Sequence, residues 1–158
     1  MPKLSAGLLM YRVRDDVLEV LLAHPGGPLW ARKDLGVWTV PKGEVESGED
    51  QLATARREFE EELGFTPSGE FIALGTITQK SGKIVRAWAF EGNCDSRTVK
   101  SNTFSMEWPP GSGNRRDFPE IDRAEFFTVE EARKRIKPAQ IPLLERLEEK
   151  LRSGKSIR

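Results

Sequence analysis

Apolar positions along this chain change period several times, and each change predicts an element. Leucine- and valine-rich runs at residues 5–13 and 18–23 flank the polar pair Asp15-Asp16, which predicts two strands joined by a tight turn. His24-Pro25-Gly26-Gly27-Pro28 then breaks the pattern. Residues 36–41 predict a short third strand stopped by Pro41, followed by a loop over 42–48. From Glu49 to Leu63 no glycine or proline intervenes, and Leu52, Ala55, Phe59 and Leu63 recur at helical spacing. Gly64 stands where a helix C-cap glycine belongs, and Pro67 prevents resumption.

Residues 71–79 and 83–90 predict a second antiparallel pair around Ser81-Gly82. In its later strand Val85, Ala87 and Ala89 face one way and Arg86, Trp88 and Phe90 the other, so both faces can be covered. Residues 92–119 turn polar and contain Trp108-Pro109-Pro110-Gly111-Ser112-Gly113-Asn114, which predicts a long irregular loop. A short strand (124–128), a short helix (129–136) and an amphipathic helix (141–151) close one domain over 1–152, with a frayed tail expected at 153–158.

Composition narrows the function classes. Lys plus Arg and Asp plus Glu number 25 each, so no net field draws the chain to nucleic acid polymers or anionic membranes. The apolar stretch near the N-terminus is too short for a signal h-region or a membrane span. Cys94 is the lone cysteine, which excludes an intramolecular disulfide and fits a reducing, cytoplasmic compartment. Charge chemistry must therefore be local.

It is local to one helix. Glu49, Asp50, Glu58, Glu60, Glu61 and Glu62 are offset there only by Arg56 and Arg57. Glu58 shares a face with Glu61 and Glu62, and like charges at such spacing destabilise an isolated helix by a few tenths of a kcal/mol per pair. An acidic face is commonly just solvated. Here, however, a glycine-bearing loop directly precedes the acids, so a backbone carbonyl from Lys42 or Gly43 can join Glu58, Glu61 and Glu62. Hard oxygen donors of this kind suit magnesium, with manganese as a substitute.

The spacing is also a motif. Gly43, five residues, Glu49, seven residues, Arg57-Glu58-Phe59, one residue, Glu61-Glu62, one residue and Gly64-Phe65 resembles the complete Nudix box, with Phe59 and Phe65 where aliphatic residues are commoner. The flanking strands, Trp38-Thr39-Val40-Pro41-Lys42-Gly43 and the closing helix extend the resemblance over most of the chain. It implies an α/β/α sandwich (α+β) with a central mixed sheet and a loop–helix–loop metal site. It implies metal ligation at Glu58, Glu61 and Glu62 with the Gly43 carbonyl, loop support from Glu49, and orientation of carboxylates by Arg57. The implied reaction is Mg2+-dependent hydrolysis of a phosphoanhydride bond, water attacking phosphorus, in a nucleoside or dinucleoside polyphosphate.

Other assignments stay open at this level. The proton acceptor is Glu58, Glu120 or Glu125, with Glu120 the first late-loop choice. Lys42, Arg86 and Trp88 are expected to bind substrate, and Lys80 and Lys83 are further basic neighbours. Trp38 is expected in the core, whereas Trp30 and Trp108 either pack or clamp a ligand. His24 is either a general acid or structural. The Trp-Thr-Val-Pro-Lys-Gly run resembles the dinucleoside polyphosphate and diphosphoinositol polyphosphate branches more than the branch that clears oxidised nucleotides. A non-catalytic nucleotide sensor is the alternative, and an RNA-end-processing enzyme would want a basic groove. Small-molecule substrate, no nucleic acid polymer, no membrane, and a monomer or homodimer complete the expectations.

Overall fold

The computed structural model describes residues 3–155. β1 (Leu4–Arg14) runs through the middle of a mixed sheet and is apolar on both sides, because Leu8 and Met10 enter one core while Leu9 and Tyr11 enter the other. A strand covered on both faces reads as a continuous apolar run, as this one does. β2 (Val17–Pro25) returns antiparallel through Asp15 and Asp16, both at positive φ, a conformation that aspartate tolerates in a tight turn. β3 (Lys42–Glu44), α1 (Gln51–Leu63), β4 (Ile72–Thr78), β5 (Ile84–Glu91), β6 (Thr103–Glu107), β7 (Arg115–Pro119), β8 (Ile121–Thr128), α2 (Val129–Arg135) and α3 (Ile141–Lys150) follow. The sheet order is β4-β5-β1-β2-β8, with β5 parallel to β1 and β3 on β1 beside β2.

α1 covers one face. Ala55, Phe59 and Leu63 are fully buried against Ala6, Leu8 and Phe90, and the Phe59 and Phe90 rings meet edge to face at 5.3 Å. Truncating such a ring costs about 3–5 kcal/mol. α3 covers the other face through Leu143, Leu144 and Leu147, beneath Val85, Ala87 and Ala89. The mixed sheet between helices is therefore the expected architecture.

Four local expectations need correction. Residues 36–41 do not form a ladder; Trp38 and Thr39 make only isolated bridges, and the strand is β3, inside the stretch read as a loop. β2 pairs with β1 only from Tyr11 onward, so the earlier half of that edge is free, and residues 42–44 fill it opposite Ser5, Ala6 and Gly7. Gly7 admits this approach, since a Cβ there would lie 2.6 Å from the Pro41 carbonyl oxygen and 2.8 Å from Lys42 Cβ. The expected irregular loop over 92–119 contains the β6–β7 ribbon, Trp108 and Asn114 closing its turn. Its strands bury residues on one side only and then only halfway, which leaves little periodic signal. The helix begins at Gln51, two residues later than expected, because Asp50 is its N-cap and accepts from the Ala53 N–H at 2.9 Å. Of the expected tail, 153–155 belong to a helical turn, Leu151–Lys155, and 156–158 lie outside the described residues.

Candidate active site

The loop entering α1 is held by its own side chains. Glu49 accepts the Glu46 N–H at 3.1 Å and two Arg57 donors, Nη2 at 3.0 Å and Nε at 3.2 Å. The remaining arm of Arg57, Nη1, reaches Glu58 at 3.0 Å and Glu61 at 3.3 Å. One guanidinium thus ties the loop to two acids of the helix. The backbone hydrogen bond from Glu46, ahead of Arg57, holds the Glu49 carboxyl below its ordinary range.

Gly43 faces Glu58 directly. A Cβ at 43 would overlap the Glu58 carboxyl group, so glycine is what lets that carboxyl lie against β3. Burial pushes the Glu58 carboxyl up, Arg57 pulls it back, and Glu61 and Glu120 raise it further. Glu62 is pushed up to about 8, first by burial and then by Glu58 and Glu120, with Lys42 the opposing cation. Glu120 reaches this pair from 58 positions away because its N–H donates to Asn102 (2.8 Å) and its carbonyl accepts from Gly26 (2.9 Å), fixing the β7–β8 corner. Glu125, by contrast, lines a different cavity with Arg12, Arg14, Cys94 and Arg97.

Lys42 is the cationic counterpart. Burial, then Lys137 and Lys83, bring its ammonium down to about 8, while Glu62 and Glu44 hold it up. Lys137 is itself lowered by burial and by Lys83. Lys80 and Lys137 line a cavity of about 700 Å³ with Thr78, Gln79, Ser81, Pro138 and Ala139. Fully buried Gln140 braces the approach to Lys42 by accepting the Val40 N–H (3.0 Å) and donating to Thr39 (3.0 Å) and Gln79 (2.9 Å).

The remaining expected residues are distributed unevenly. Arg86 lies in register with Ala6, and Ala6 with Gly43, so it shares a row with the glycine of the box; its Nε is buried without a hydrogen-bond partner. Trp88 packs against the core under α1, and Trp38 is in the opposite core, 1% exposed. His24 is fully buried, its ring nitrogens facing Asp122 at 2.8 Å and the Lys33 carbonyl at 2.6 Å, so the structure gives it a structural place. Lys137 and Gln140 escaped the sequence reading; Lys137-Pro138 after a short helix looks like an ordinary terminus until the fold brings it to Lys42.

Among the described residues no three His, Cys, Asp or Glu side chains form a ready metal cage, and Arg57 occupies Glu58 and Glu61. The donor chemistry nevertheless fits a hard divalent cation. Glu58 stands close enough to raise the proton affinity of Glu62, Glu120 raises that of both, and the glycine beside them leaves a backbone carbonyl within the same loop.

A NUDIX domain model matches residues 1–147. The chain belongs to the NUDIX family. Over 99 residues it is 32% identical to the asymmetrical bis(5'-nucleosyl)-tetraphosphatase of Rattus norvegicus, a match covering 55% of this chain and 63% of that enzyme. The C. elegans Ap4A hydrolase, solved as a binary complex, superposes with a TM-score of 0.67 at 24% identity, covering 94% of this chain and 98% of that one. The NUDIX domain of Shewanella oneidensis NrtR, solved with ADP ribose, also gives 0.67 at 14% identity, covering 96% and 89%. These two likenesses concern the fold, a mixed sheet flanked by helices. NUDIX hydrolases generally depend on a divalent metal, and no helix of the described residues is long and apolar enough to cross a membrane.

Proposed function

We propose that this NUDIX chain hydrolyses a phosphoanhydride bond in a nucleoside or dinucleoside polyphosphate, with Mg2+ as the working metal and Mn2+ able to replace it. The observation that carries this reading is the meeting of Glu58, Glu62 and Glu120 opposite Lys42, next to a lysine-lined cavity. Acids crowded until Glu62 keeps its proton to about pH 8 are a poor surface ion pair and a good receptacle for a cation and its phosphate.

Glu58, Glu61, Glu62 and the Gly43 carbonyl would hold the metal, which when bound supplies neutralisation of phosphate charge and acidification of water. Arg57 keeps Glu58 and Glu61 oriented from the side of the loop. Lys42 neutralises a phosphate oxygen at the reacting end, Lys80 and Lys137 receive the rest of the polyphosphate in their cavity, and Lys83 adds its charge beside Lys137. Arg86 is assigned to substrate through its free Nε. Trp88 supports the wall beneath it. Glu120 takes the proton from water: it stands close enough to raise both box carboxyls yet is exposed at a corner that substrate can reach.

The test is a hydrolysis screen over dinucleoside polyphosphates, nucleoside triphosphates and nucleotide sugars with Mg2+, with products identified by mass spectrometry. Cleavage between phosphates in at least one polyphosphate class is expected. Tight nucleotide binding without turnover would leave the sensor reading, against which the complete set Glu58, Glu61 and Glu62 speaks.

A further inference from the structure

A smaller cavity, of about 170 Å³, meets the Glu120 corner at Gly26. Its walls are Gly26, Gly27, Leu29, Trp30, Phe104 and Met106, drawn from the β2–β3 loop and the β6–β7 ribbon. Leu29 is 58% exposed and Trp30 36%, so large apolar side chains stand at its mouth without core to cover them. The site is held in shape from below. Gly27 has φ +96°, and a Cβ there would come within 2.8 Å of Phe104 Cζ, so the ring rests on bare backbone. Lys33 lies over the Trp30 indole at 5.2 Å and braces it. Phe104 packs in turn on Phe118, ring centroids 6.0 Å apart, across the β6–β7 pair.

One hydrogen bond links this recess to the reacting acids. Gly26, a lining residue, donates its N–H to the carbonyl of Glu120 at 2.9 Å, and the Glu120 carboxylate acts on both Glu58 and Glu62. A Cβ at Gly26 would overlap the Pro119 carbonyl, so the two loops touch through backbone alone. Lys137 joins the lysine cavity to Lys42, and Gly26 joins the aromatic recess to Glu120. Cationic walls suit phosphates, whereas indole and phenyl rings with Met106 suit a flat, weakly polar ring.

Building on the hydrolase reading, we infer that Trp30 and Phe104 form a stacking subsite for a nucleobase of the substrate, on the Glu120 side of the scissile phosphate. A substrate with a base at one end of its phosphates or at both engages it, and a base-free polyphosphate does not. Base stacking on an aromatic side chain sets the size of the effect. Trp30→Ala should raise KM for diadenosine tetraphosphate and ATP roughly 5- to 100-fold with kcat little changed, and leave KM for inorganic tripolyphosphate as it was. Phe104→Leu should reproduce the pattern.

The kinetics use the full chain with Mg2+. Direct contact is read in the metal-free protein from the Trp30 indole N–H resonance, assigned by its loss in Trp30→Phe, while adenosine alone is titrated. The resonance should shift saturably in wild type, and the shift should weaken in Phe104→Leu. An unmoved indole resonance, an unchanged nucleotide KM in both variants, or an equal rise of KM for tripolyphosphate would each overturn the inference. Absence of turnover on every substrate, with the indole still shifted by adenosine, would count against the hydrolase reading and keep the subsite.

Discussion

The crowding at Glu62 has a thermodynamic consequence that can be measured without any substrate. Its carboxyl is raised from 4.5 to about 8 in the fold, chiefly by burial and then by Glu58 and Glu120. Between those two pH values the unfolded chain has released this proton while the folded chain retains it, so stability must fall as pH rises across the window and level off above it. At 1.36 kcal/mol per pH unit the interval is worth about 5 kcal/mol. Glu62 is only partly withdrawn from water, and the solvent it keeps screens the repulsion, so about 2–3 kcal/mol is the expected loss from pH 5 to pH 8. Lys42 acts in the next window. Its ammonium is brought from 10.5 to about 8, so the fold favours the neutral amine and stability recovers as pH rises from 8 toward 10.5. The metal-free protein should therefore show a stability minimum near pH 8. Urea unfolding in a chelator at pH 5, 6, 7, 8 and 9 measures this. Glu62→Gln should be about 2–3 kcal/mol more stable than wild type at pH 8 and equal to it at pH 5. Added Mg2+ should stabilise wild type far more at pH 8 and 9, where Glu62 is ionised, than at pH 5. Stability that is flat or rising between pH 5 and 8, with Glu62→Gln indistinguishable from wild type at pH 8, would refute the assigned crowding.

Three further outcomes concern catalysis. Glu58→Gln and Glu62→Gln should each lower turnover by several orders of magnitude with the melting temperature kept or raised, read by steady-state rates beside calorimetry; near-normal rates in both would move the reaction elsewhere. Glu120→Gln should cut single-turnover rates roughly 100- to 10,000-fold with metal affinity little altered, whereas Glu125→Gln, in its separate cavity, should be mild. A silent Glu120→Gln beside a dead Glu58→Gln would place the base on α1. Gly43→Ala should displace the Glu58 carboxyl it would overlap and cost roughly 100-fold in kcat, while circular dichroism shows the helix content intact.

The sequence by itself determined whatever depends on neighbours a few residues apart. α1 was legible because its apolar stripe, its C-cap Gly64 and the arginine and acids of the box all repeat within single turns. β1 and β5 were legible because apolar residues on both faces leave no polar alternation to mislead. The pairing of Arg57 with Glu49 could be anticipated, since Glu49 lies just ahead of the N-cap of the helix that carries Arg57 two turns on. Tertiary structure alone decided what required two distant segments to dock. Residues 42–44 become a strand only because β2 leaves half of one β1 edge unpaired and Gly7 lets the chain close on it. β6 and β7 gain their order from pairing with each other, their half-buried faces carrying too little periodicity to announce them. His24, readable as an acid, is consumed by Asp122 and Lys33 once the sheet forms. Glu62 is an ordinary helix acid until β3 and the β7–β8 corner exclude water around it and bring Glu120 and Lys42 to it, and electrostatic energy of that kind depends on distance and burial, which no local pattern of residues encodes.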